Sequence, residues 1–476
     1  MNELTRTQLI RIIKGFKPKK IMVAGDMMLD QYTWGKVNRI SPEAPIPILS
    51  VEREEFRPGG AASVVANVST LDCQVFPVGY VGNDPSGDRL MDLFSELKTS
   101  TIGLERSKSY TTIVKKRVLT HQQQLLRIDY ESSTEITQEL EKTLQKKIEQ
   151  LMPDMDGVII SDYAKGVITQ KLVASIISLA KKHGIPVTCD PGKGVDYSIY
   201  QGVSTIKPNR SEAELAVGFP IQSKEEILKA AKEIKNRCNA DFVSLSLDRD
   251  GILYFENEDN VQIIETEAQE VFDVTGAGDM VTSVIGVLLA HGVSGKSALK
   301  MANLAAEIEI SHLGVVPLPW SEMLSFLNKD SVNRKIITLD RLLAEFKNNL
   351  ELPLVFTNGY FDRISAGHLR FLIEFGQIPG RHVVAINSDQ AIKRKKGNLP
   401  LLDQHNRARL LASLENIDHV LIFDEDDAGE LIKKLAPKII VKGDRFKGET
   451  IPEEKAIQEV GAKIEYIQHF SPVNKD

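Results

Sequence analysis

Short apolar runs alternate with helical patterns along most of the 476-residue chain, and this alternation limits the possible folds more than any other feature. In the first half of the chain the strand-like runs are KIMVA (Lys20–Ala24), GVIIS (Gly157–Ser161), PVTCD (Pro186–Asp190) and FVSLSL (Phe242–Leu247). The segments between them include Glu135–Leu151 and Leu172–His183, which show helical spacing. Continuous apolar runs are typical of parallel strands that are buried on both faces. The order therefore predicts a doubly wound α/β sheet.

Two stretches of the first domain have a different character. Pro45–Val51 and Thr111–Asp129 resemble antiparallel β-structure. We therefore expect a small β lid over one edge of the sheet.

A second unit begins after Pro317-Leu318-Pro319. Its strand-like runs predict a smaller Rossmann-like α/β domain; they are PLVFT (Pro353–Thr357), HVVAIN (His382–Asn387), HVLIF (His419–Phe423) and KIIVK (Lys438–Lys442). The stretch Leu327–Lys335 is polar and charged, and it is the best candidate for a linker. We predict a first domain at residues 1–328, a linker at 329–338 and a second domain at 339–476.

Composition excludes several classes of protein. A net charge of −6 gives no global reason to expect nucleic acid or an anionic membrane as a partner. Three scattered cysteines are too few for a disulfide framework or a zinc site. The N-terminus lacks the apolar core of a signal peptide, and the longest apolar stretch, near Val281–Ala290, is too short to span a bilayer. We expect a soluble, cytoplasmic protein with reduced thiols.

The string DVTGAGD, Asp273–Asp279, indicates phosphoryl transfer. Backbone N–H groups of Gly276, Ala277 and Gly278 can converge on an anion, and the helix that follows adds its partial positive charge. Asp279 ends the turn, where a carboxylate can deprotonate a hydroxyl as a phosphoryl group arrives. A glycine-rich turn is by itself common, but the whole string with Asp273 and Thr275 favours a kinase.

Further motifs suit a sugar and a nucleotide. Gly59 and Gly60 can begin a helix that approaches a ligand closely, with Asn67 further along it, although a glycine pair is often only a turn. Asp26 and Asp30 follow a predicted strand, where carboxylates can accept hydrogen bonds from a polyol; a helix cap at Asp26 is the alternative.

In KPNRSEAE the i, i+3 spacing brings Asn209 and Glu212 to one helix face, which suits a hydrated Mg²⁺ near nucleotide phosphates. The alternative is a capping box, with Asn209 as N-cap and Glu212 at N3. On the local pattern alone, the capping box is favoured.

The strings GGAASVVANVSTLD, VGYVGNDPSGD, KPNRSEAE and DVTGAGD together resemble the ribokinase/PfkB family of carbohydrate kinases over about two-thirds of the chain. The resemblance implies ATP and Mg²⁺ as cofactors, with Asp279 as catalytic base and Gly276, Ala277 and Gly278 as the anion hole. It assigns the nucleotide side to Asn209, Arg210, Ser211 and Glu212, with Glu212 an indirect metal candidate, and puts Asn303 near the adenine. The family often has a small residue where Glu307 stands.

The same resemblance assigns the sugar pocket to Asp26, Asp30, Gly59, Gly60 and Asn67. Lys115 and Arg117, in the predicted lid, can meet a phosphate already present on the substrate. A solvated strand face is an equally good interpretation of these two cations.

VFTNGYFDRISAGHLRFL, Val355–Leu372, resembles the opening of cytidylyltransferase-like nucleotidyltransferases, in which two histidines near a helix start contact a triphosphate. His368 matches the second histidine, whereas Ser365 stands at the first and Tyr360 replaces a usual cysteine. Downstream, Lys393–Lys396, Arg407 and Lys442 match further family positions. The family's closing Ser-Thr-Thr turn has only Ser471 as a counterpart, so we expect this domain to be truncated.

GDMMLDQYTWG, RISPEAPIPIL, QQQLLRIDYE and SDYAKGV also resemble the kinase half of the bacterial bifunctional heptose 7-phosphate kinases/heptose 1-phosphate adenylyltransferases. The resemblance implies phosphorylation at C1, then adenylyl transfer to give ADP-heptose for the lipopolysaccharide core, and a homodimer. The alternatives are an active kinase whose second domain binds nucleotide or assists assembly without catalysis, and a kinase for another phosphosugar. Ser365 and the missing turn favour the former alternative, while His368, Lys393–Lys396 and Lys442 favour two activities.

Overall fold

A computed structural model describes residue 10 and residues 13–120, 123–131, 136–265, 276–310, 317–347, 353–449 and 451–468. The chain divides into two compact units, Met1–Leu324 and Ser325–Asp476. Glu135, Gln122, Asp273, Thr275 and Ser471, which belong to motifs discussed above, lie outside the described residues.

The first unit is built on a large, mostly parallel sheet. The strands of the first unit, including those of a second sheet described below, are β1 (Lys20–Gly25), β2 (Met27–Ile40), β3 (Pro47–Gly60), β4 (Gln74–Gly82), β5 (Leu104–Ser107), β6 (Ile113–Leu119), β7 (Gln124–Tyr130), β8 (Gly157–Ser161), β9 (Val187–Asp190), β10 (Thr205–Ile206), β11 (Phe242–Ser246), β12 (Ile252–Asn257) and β13 (Asn260–Ile264). Nine of these form the sheet in the order β13-β12-β11-β10-β9-β8-β1-β4-β5. From β11 to β5 all neighbours are parallel, while β12 and β13 add an antiparallel edge.

Helices pack around this sheet. They are α1 (Ala61–Thr70), α2 (Pro85–Glu96), α3 (Gln138–Leu151), α4 (Gln170–His183), α5 (Arg210–Val217), α6 (Lys224–Cys238), α7 (Ala277–Ala290) and α8 (Gly295–Ile310), with 3₁₀ turns at Met152–Asp154, Tyr197–Tyr200 and Asp248–Asp250. The predicted doubly wound α/β architecture is confirmed. The four predicted strands match β1, β8, β9 and β11 to within one residue at each end, because their side chains are almost all buried.

The lid is a separate four-stranded sheet with the order β3-β2-β6-β7. The predicted antiparallel segments overlap β3, β6 and β7, but β2 was not predicted, and it pairs with β6 in parallel. β2 begins among buried residues and ends fully exposed, so its side chains show no single period that would identify a strand.

The second unit contains a five-stranded, all-parallel sheet with the order β16-β15-β14-β17-β18. The strands are β14 (Leu354–Gly359), β15 (Arg381–Asn387), β16 (His419–Phe423), β17 (Ile439–Gly443) and β18 (Lys463–Ile467). Sequence patterns predicted the first four; β18 lies at the edge, where polar side chains interrupt the apolar run. The helices are α10 (Leu339–Lys347), α11 (Ala366–Phe375), α12 (Asp389–Lys396), α13 (Gln404–Ala412), α14 (Gly429–Leu435) and α15 (Glu454–Val460), with a 3₁₀ turn at Asp444–Phe446.

The stretch expected to form a linker is mostly helical. Helix α9 begins at Trp320 and ends at Lys335, and the next residue, Ile336, forms a β-bridge with Val420. Polar composition alone did not distinguish a charged helix from a linker. The predicted domain limits at 1–328 and 339–476 remain predictions.

Within the part of the chain that the structure describes, no helix is both long enough and apolar enough to cross a bilayer. The thiols of Cys73, Cys189 and Cys238 are free. Burial raises the pKa of the Cys73 thiol to about 11 and that of Cys238 to about 12, so both are protonated and unreactive at neutral pH.

Arg407 is fully buried in the second unit and ties three loops together. Its guanidinium donates to the carbonyl oxygens of Leu402, Tyr360 and Asn387 at 3.0, 2.7 and 2.9 Å. It also forms an ion pair of 2.7 Å with Asp389. Only a planar group with several donors can satisfy acceptors that lie in different directions. The sequence motif that contains Arg407 therefore serves the fold of this domain.

We expect Arg407→Lys to lower the free energy of unfolding of the second unit by roughly 2–4 kcal/mol, because an ammonium group leaves buried carbonyl oxygens unsatisfied. Urea unfolding followed by circular dichroism measures this change. Arg409→Lys, at an exposed position of the same helix, is the matched control and should leave stability unchanged. Equal stability of the two variants would contradict the interpretation.

Candidate active sites

A cavity of about 630 Å³ opens at the carboxyl ends of the parallel strands in the first unit, where ligands bind in open α/β sheets. Lid strands β2, β3 and β6 form one wall, and the start of α7 forms another. The lining includes residues predicted to bind the sugar, which are Asp30, Gly60, Asn67, Lys115 and Arg117. It also includes residues predicted for the nucleotide and for catalysis, which are Asn209, Glu212, Gly276, Gly278 and Asp279.

Asp279 lies in the first turn of α7, facing the cavity. The N-cap Gly276 has φ 97°, in the left-handed region that glycine adopts most easily, and Ala277 is the first helical residue. Oδ1 of Asp279 accepts a hydrogen bond of 2.7 Å from the hydroxyl of Tyr163. Ser63 also lowers the pKa of this carboxylate. The Tyr163 hydroxyl thus orients the group that the sequence predicted as the base.

The surroundings of Asp279 make its carboxylate more basic. Burial raises its pKa to about 6, and the nearby Asp190 carboxylate adds to this rise. The contacts with Tyr163, Lys207 and Ser63 act in the opposite direction. A carboxylate with this pKa is mostly ionised at pH 7 and can accept a proton more readily than an ordinary aspartate.

A buried ion pair lies beside Asp279. Nζ of Lys207 is 3.1 Å from Oδ2 of Asp190, and the hydroxyl of Thr282 donates to the same oxygen at 2.8 Å. Burial opposes ionisation of Lys207, but Asp190 and other carboxylates hold its pKa above the ordinary value. A Cβ at Gly278 would lie 3.5 Å from Nζ, so the ammonium group faces the predicted anion hole. This arrangement suits a phosphate group.

Asn209 and Glu212 form the capping box of α5. Oδ1 of Asn209 accepts from the Glu212 N–H, and Oε2 of Glu212 accepts from the Asn209 N–H, both at 2.9 Å. Both residues also line the cavity. Arg210 points elsewhere, to ion pairs with Asp248 and Asp250.

The hydroxyl of Ser211 donates to Oδ1 of Asn209, which makes it part of the cap. Among the described residues, no group of three His, Cys, Asp or Glu side chains is arranged to hold a metal ion. Glu212 therefore offers at most part of a metal site, and its pKa is raised by burial.

Asp26 has partners other than those expected from the sequence. Its fully buried carboxylate accepts the backbone N–H groups of Tyr163, Lys165 and Val167 at 2.9, 3.2 and 3.1 Å. It lies behind the cavity wall and holds the loop that follows β8. The helix-cap alternative does not describe it either, because it bonds a loop distant in sequence.

Gly59 and Gly60 allow the end of β3 to pass close to β2. A Cβ at Gly59 would lie 2.8 Å from the carboxyl carbon of Asp30. Gly60 has φ +54°, and a Cβ there would lie 2.7 Å from the carbonyl oxygen of Asp26. The glycine pair is therefore required by the backbone path at the point where the lid joins α1.

Cations from the lid line the cavity. Nη1 of Arg117 is 3.0 Å from Oδ1 of Asp30, and both side chains are largely buried. Nζ of Lys115 lies 5.0 Å from the ring centre of Tyr163. The guanidinium groups of Arg57 and Arg117 lie 4.9 and 5.2 Å from the ring centre of Tyr32. The three cations face a cavity, which argues against a simple solvated strand face.

Asn67 is fully buried in α1 and lines the cavity, yet neither atom of its amide has a hydrogen-bond partner among the described residues. A buried amide without partners is costly, so a ligand with polar groups is expected to complete it. Asn303 lies apart from this lining: its Nδ2 donates to the carbonyl oxygen of Glu265 and to Oε1 of Glu307, at 3.1 and 3.0 Å.

A second cavity of about 340 Å³ lies at the carboxyl end of β14 and the start of α11. His368, at the third position of α11, lines it, and Ser365 is the N-cap. The Ser365 backbone N–H donates to Nδ1 of His368 at 3.3 Å, and the serine hydroxyl lies 2.9 Å from the same nitrogen. Because a backbone N–H can only donate, Nδ1 must accept. The neutral ring therefore carries its proton on Nε2.

Lys442 lines the second cavity and is almost completely buried. Its Nζ donates to Oδ1 of Asn358 at 2.8 Å and lies 3.4 Å from Oε2 of Glu453. Burial lowers its pKa, against the attraction of Glu453. Nζ of Lys396 lies 4.4 Å from the ring centre of Tyr360, so this aromatic replacement does not close the cavity but supports one of its cations.

Sequence reasoning did not identify Tyr163, Asp190, Lys207, Ser63 and Arg57. Asp190 ends β9, Lys207 directly follows β10 and Tyr163 lies two residues past the end of β8, so the rule that ligands bind at the carboxyl ends of parallel strands pointed to them. Ser63 belongs to a predicted helix start and Arg57 to an unpredicted part of the lid.

These two sites define a class: a carbohydrate kinase joined to a nucleotidyltransferase. The pfkB family carbohydrate kinase model matches residues 18–321, and the Cytidylyltransferase-like model matches residues 356–472. The chain is 37% identical over 465 residues to Bifunctional protein HldE of Helicobacter hepaticus, covering 96% of each chain. It is 37% identical to that of Campylobacter fetus over 95% of this chain and 98% of the relative. The chain belongs to the HldE family of bifunctional enzymes.

Solved structures agree with the fold of the first unit. Phosphofructokinase-2 from Escherichia coli, in its tetrameric inhibited form, aligns with a TM-score of 0.54 and 20% identity over 65% of this chain and 99% of that chain. Arabidopsis thaliana ribokinase complexed with ribose and ATP aligns with a TM-score of 0.53 and 18% identity, over 65% and 99%. At this identity the likeness establishes the ribokinase-like fold alone.

We expect Ser365→Ala to slow nucleotidyl transfer roughly tenfold, because the variant loses the hydroxyl that contacts Nδ1 and caps α11. Pyrophosphate release measures the rate, and ¹⁵N shifts of His368 report the tautomer. Ser365→Thr retains a hydroxyl and is the matched control. The tautomer should stay the same, because the backbone N–H of residue 365 remains; an alanine variant with the wild-type rate would contradict the role given to the hydroxyl.

Proposed function

We propose that the first domain transfers the γ-phosphoryl group of ATP to the C1 hydroxyl of heptose 7-phosphate. The second domain then transfers the adenylyl group of ATP to heptose 1-phosphate, giving ADP-heptose for the lipopolysaccharide core. One observation carries the first step: the same cavity holds the base Asp279 and, on the lid side, the cations Lys115 and Arg117. A phosphosugar has both a hydroxyl for the base and a phosphate for the cations. A phosphatase must remove the 7-phosphate between the two steps.

In the kinase step, the carboxylate of Asp279 takes the proton of the attacking hydroxyl. The hydroxyl oxygen bonds to the γ-phosphorus, the bond from that phosphorus to the β–γ bridging oxygen breaks, and ADP leaves. Backbone N–H groups at Gly276, Ala277 and Gly278, together with Lys207, stabilise the charge on the phosphoryl oxygens. Asn67 and Asp30 bind the sugar's other hydroxyl groups.

The triphosphate of ATP suits the anion hole and the ammonium group of Lys207, which faces it. Mg²⁺, when bound, neutralises phosphate charge. Glu212 would hold it indirectly, through water, because its carboxylate also serves the cap of α5. Asn209 and the neighbouring backbone lie on the nucleotide side of the cavity. Asn303 is proposed near the adenine from the family likeness alone.

In the second step, a phosphate oxygen of heptose 1-phosphate attacks the α-phosphorus of ATP, and pyrophosphate leaves. The Nε2–H of His368 and the ammonium groups of Lys396 and Lys442 stabilise the triphosphate as charge develops. A catalytically impaired second domain is not favoured. Ser365 orients His368, and HldE relatives match over both halves of the chain.

Two matched variants separate the activities. We expect Asp279→Asn to abolish nearly all phosphorylation of heptose 7-phosphate while adenylyl transfer to heptose 1-phosphate continues, because the base is removed from one site only. His368→Asn should have the reverse effect. Both reactions are measured on each full-length variant, by ADP release and by ADP-heptose formation. Absence of ADP-heptose with the wild-type protein would refute the second activity.

We also propose a cytoplasmic homodimer formed through the lid. Large apolar side chains are exposed at Ile40 on β2, at Ile46 in the turn that follows and at Val51 on β3. Changing Ile40 and Val51 together to Glu should convert a dimer to a monomer in light scattering. Leu215→Glu, at an equally exposed position of α5, is the control and should leave the mass unchanged. A monomeric wild type would refute the proposal.

A further inference from the structure

Tyr163 contacts two charged groups that line the kinase cavity. Its hydroxyl donates the 2.7 Å hydrogen bond to Oδ1 of Asp279, and its ring centre lies 5.0 Å from Nζ of Lys115. Asp279 faces the reacting hydroxyl in the proposed reaction, and Lys115 belongs to the cationic wall of the lid. One side chain therefore connects the base to a cation proposed to bind the substrate's phosphate.

The backbone at Tyr163 is firmly held. Its N–H donates to Oδ2 of Asp26 at 2.9 Å. The next residue, Ala164, has φ 54°, which is unusual for a residue other than glycine, and its N–H donates to Oδ1 of Asp162 at 2.7 Å. Since a tyrosine side chain has only two rotatable angles, a fixed backbone in a packed wall determines where the hydroxyl lies.

We propose that Tyr163 is a positioning residue that sets the separation between the base Asp279 and the phosphate-binding cation Lys115, and thereby selects sugars that carry a phosphate at the far end from the reacting hydroxyl. This inference rests on the proposed kinase function. The hydroxyl of Tyr163 orients the carboxylate, and the ring face holds the ammonium group by a cation–π interaction. A carboxylate has about four acceptor sites, so the hydrogen bond from Tyr163 leaves room for the attacking hydroxyl.

The hydroxyl also affects the pH at which the base works. The groups that face Asp279 are Asp190, which raises its pKa, and Lys207, Ser63 and Tyr163, which lower it; burial raises it most. Removing the Tyr163 hydroxyl takes away one of the contacts that lower the pKa. The base then becomes protonated at a higher pH, and the acidic limb of the rate profile moves upward.

Two substitutions separate the two contacts. Tyr163→Phe removes the hydroxyl and keeps the ring, so kcat should fall roughly tenfold to a hundredfold, with KM for heptose 7-phosphate little changed and the acidic limb shifted to higher pH. Tyr163→Leu removes both contacts, so KM should also rise roughly threefold to thirtyfold. If the Tyr163→Leu variant does not fold, Tyr163→Met is used in its place. Tyr80→Phe is the control, because that buried hydroxyl has no partner among the described residues.

The outcomes distinguish this inference from the proposed substrate. If the wild type does not phosphorylate heptose 7-phosphate, the substrate is wrong, and the ¹³C carboxyl titration of Asp279, assigned by its loss in Asp279→Asn, still reports the Tyr163 contact. An upward shift of that titration in Tyr163→Phe supports the contact. The inference is overturned if Tyr163→Phe has the wild-type kcat and pH profile, or if Tyr163→Leu binds the sugar phosphate as well as Tyr163→Phe does.

Discussion

The kinase site depends on the buried carboxylate of Asp26, which accepts three backbone N–H groups from the loop after β8. This loop has little regular structure, and Ala164 and Gly166 both have positive φ. Without a common acceptor, its N–H groups would be buried and unsatisfied. The carboxylate satisfies them and so fixes Tyr163 against Asp279. Asp26, which does not line the cavity, thus determines the geometry of Asp279, which does.

The same residue, Asp26, also links the sheet to the lid. Asp26 lies between β1 and β2, so the residue that holds the loop also stands where the chain leaves the main sheet. A Cβ at Gly60 would collide with its carbonyl oxygen, and the Ala61 N–H donates to that oxygen at 3.0 Å. The start of α1, the start of the lid and the loop after β8 therefore share one anchor. This arrangement brings the lid cations and Asp279 into the lining of a single cavity.

Sequence patterns predicted the parts of this structure that depend on local regularity. Buried parallel strands such as β8 have continuous apolar runs, and the turn at Gly276–Asp279 has a spacing set by its own backbone, so both could be recognised. Tyr163 and Lys207 depend instead on which strand lies next to which, and no local pattern carries that information. The partners of Asp26 could not be predicted for the same reason: they lie more than a hundred residues away in the chain. Position at a strand end indicated the neighbourhood, but not the direction of the side chain.

Capping boxes occur at both candidate nucleotide sites, and they change how the sequence departures should be interpreted. Asn209 and Glu212 cap α5 while facing the kinase cavity, and Ser365 and His368 cap α11 while facing the second cavity. In each pair the polar atoms that accept hydrogen bonds from the N–H groups at the helix start also fix the side chain that a ligand would meet. A serine at position 365 is therefore a chemically coherent replacement for a histidine. It cannot carry charge, but its backbone N–H and hydroxyl hold the remaining imidazole with its proton on Nε2. Only the second histidine of the family motif is present, and its imidazole is held in one orientation, which suits a reaction driven by positioning and electrostatics.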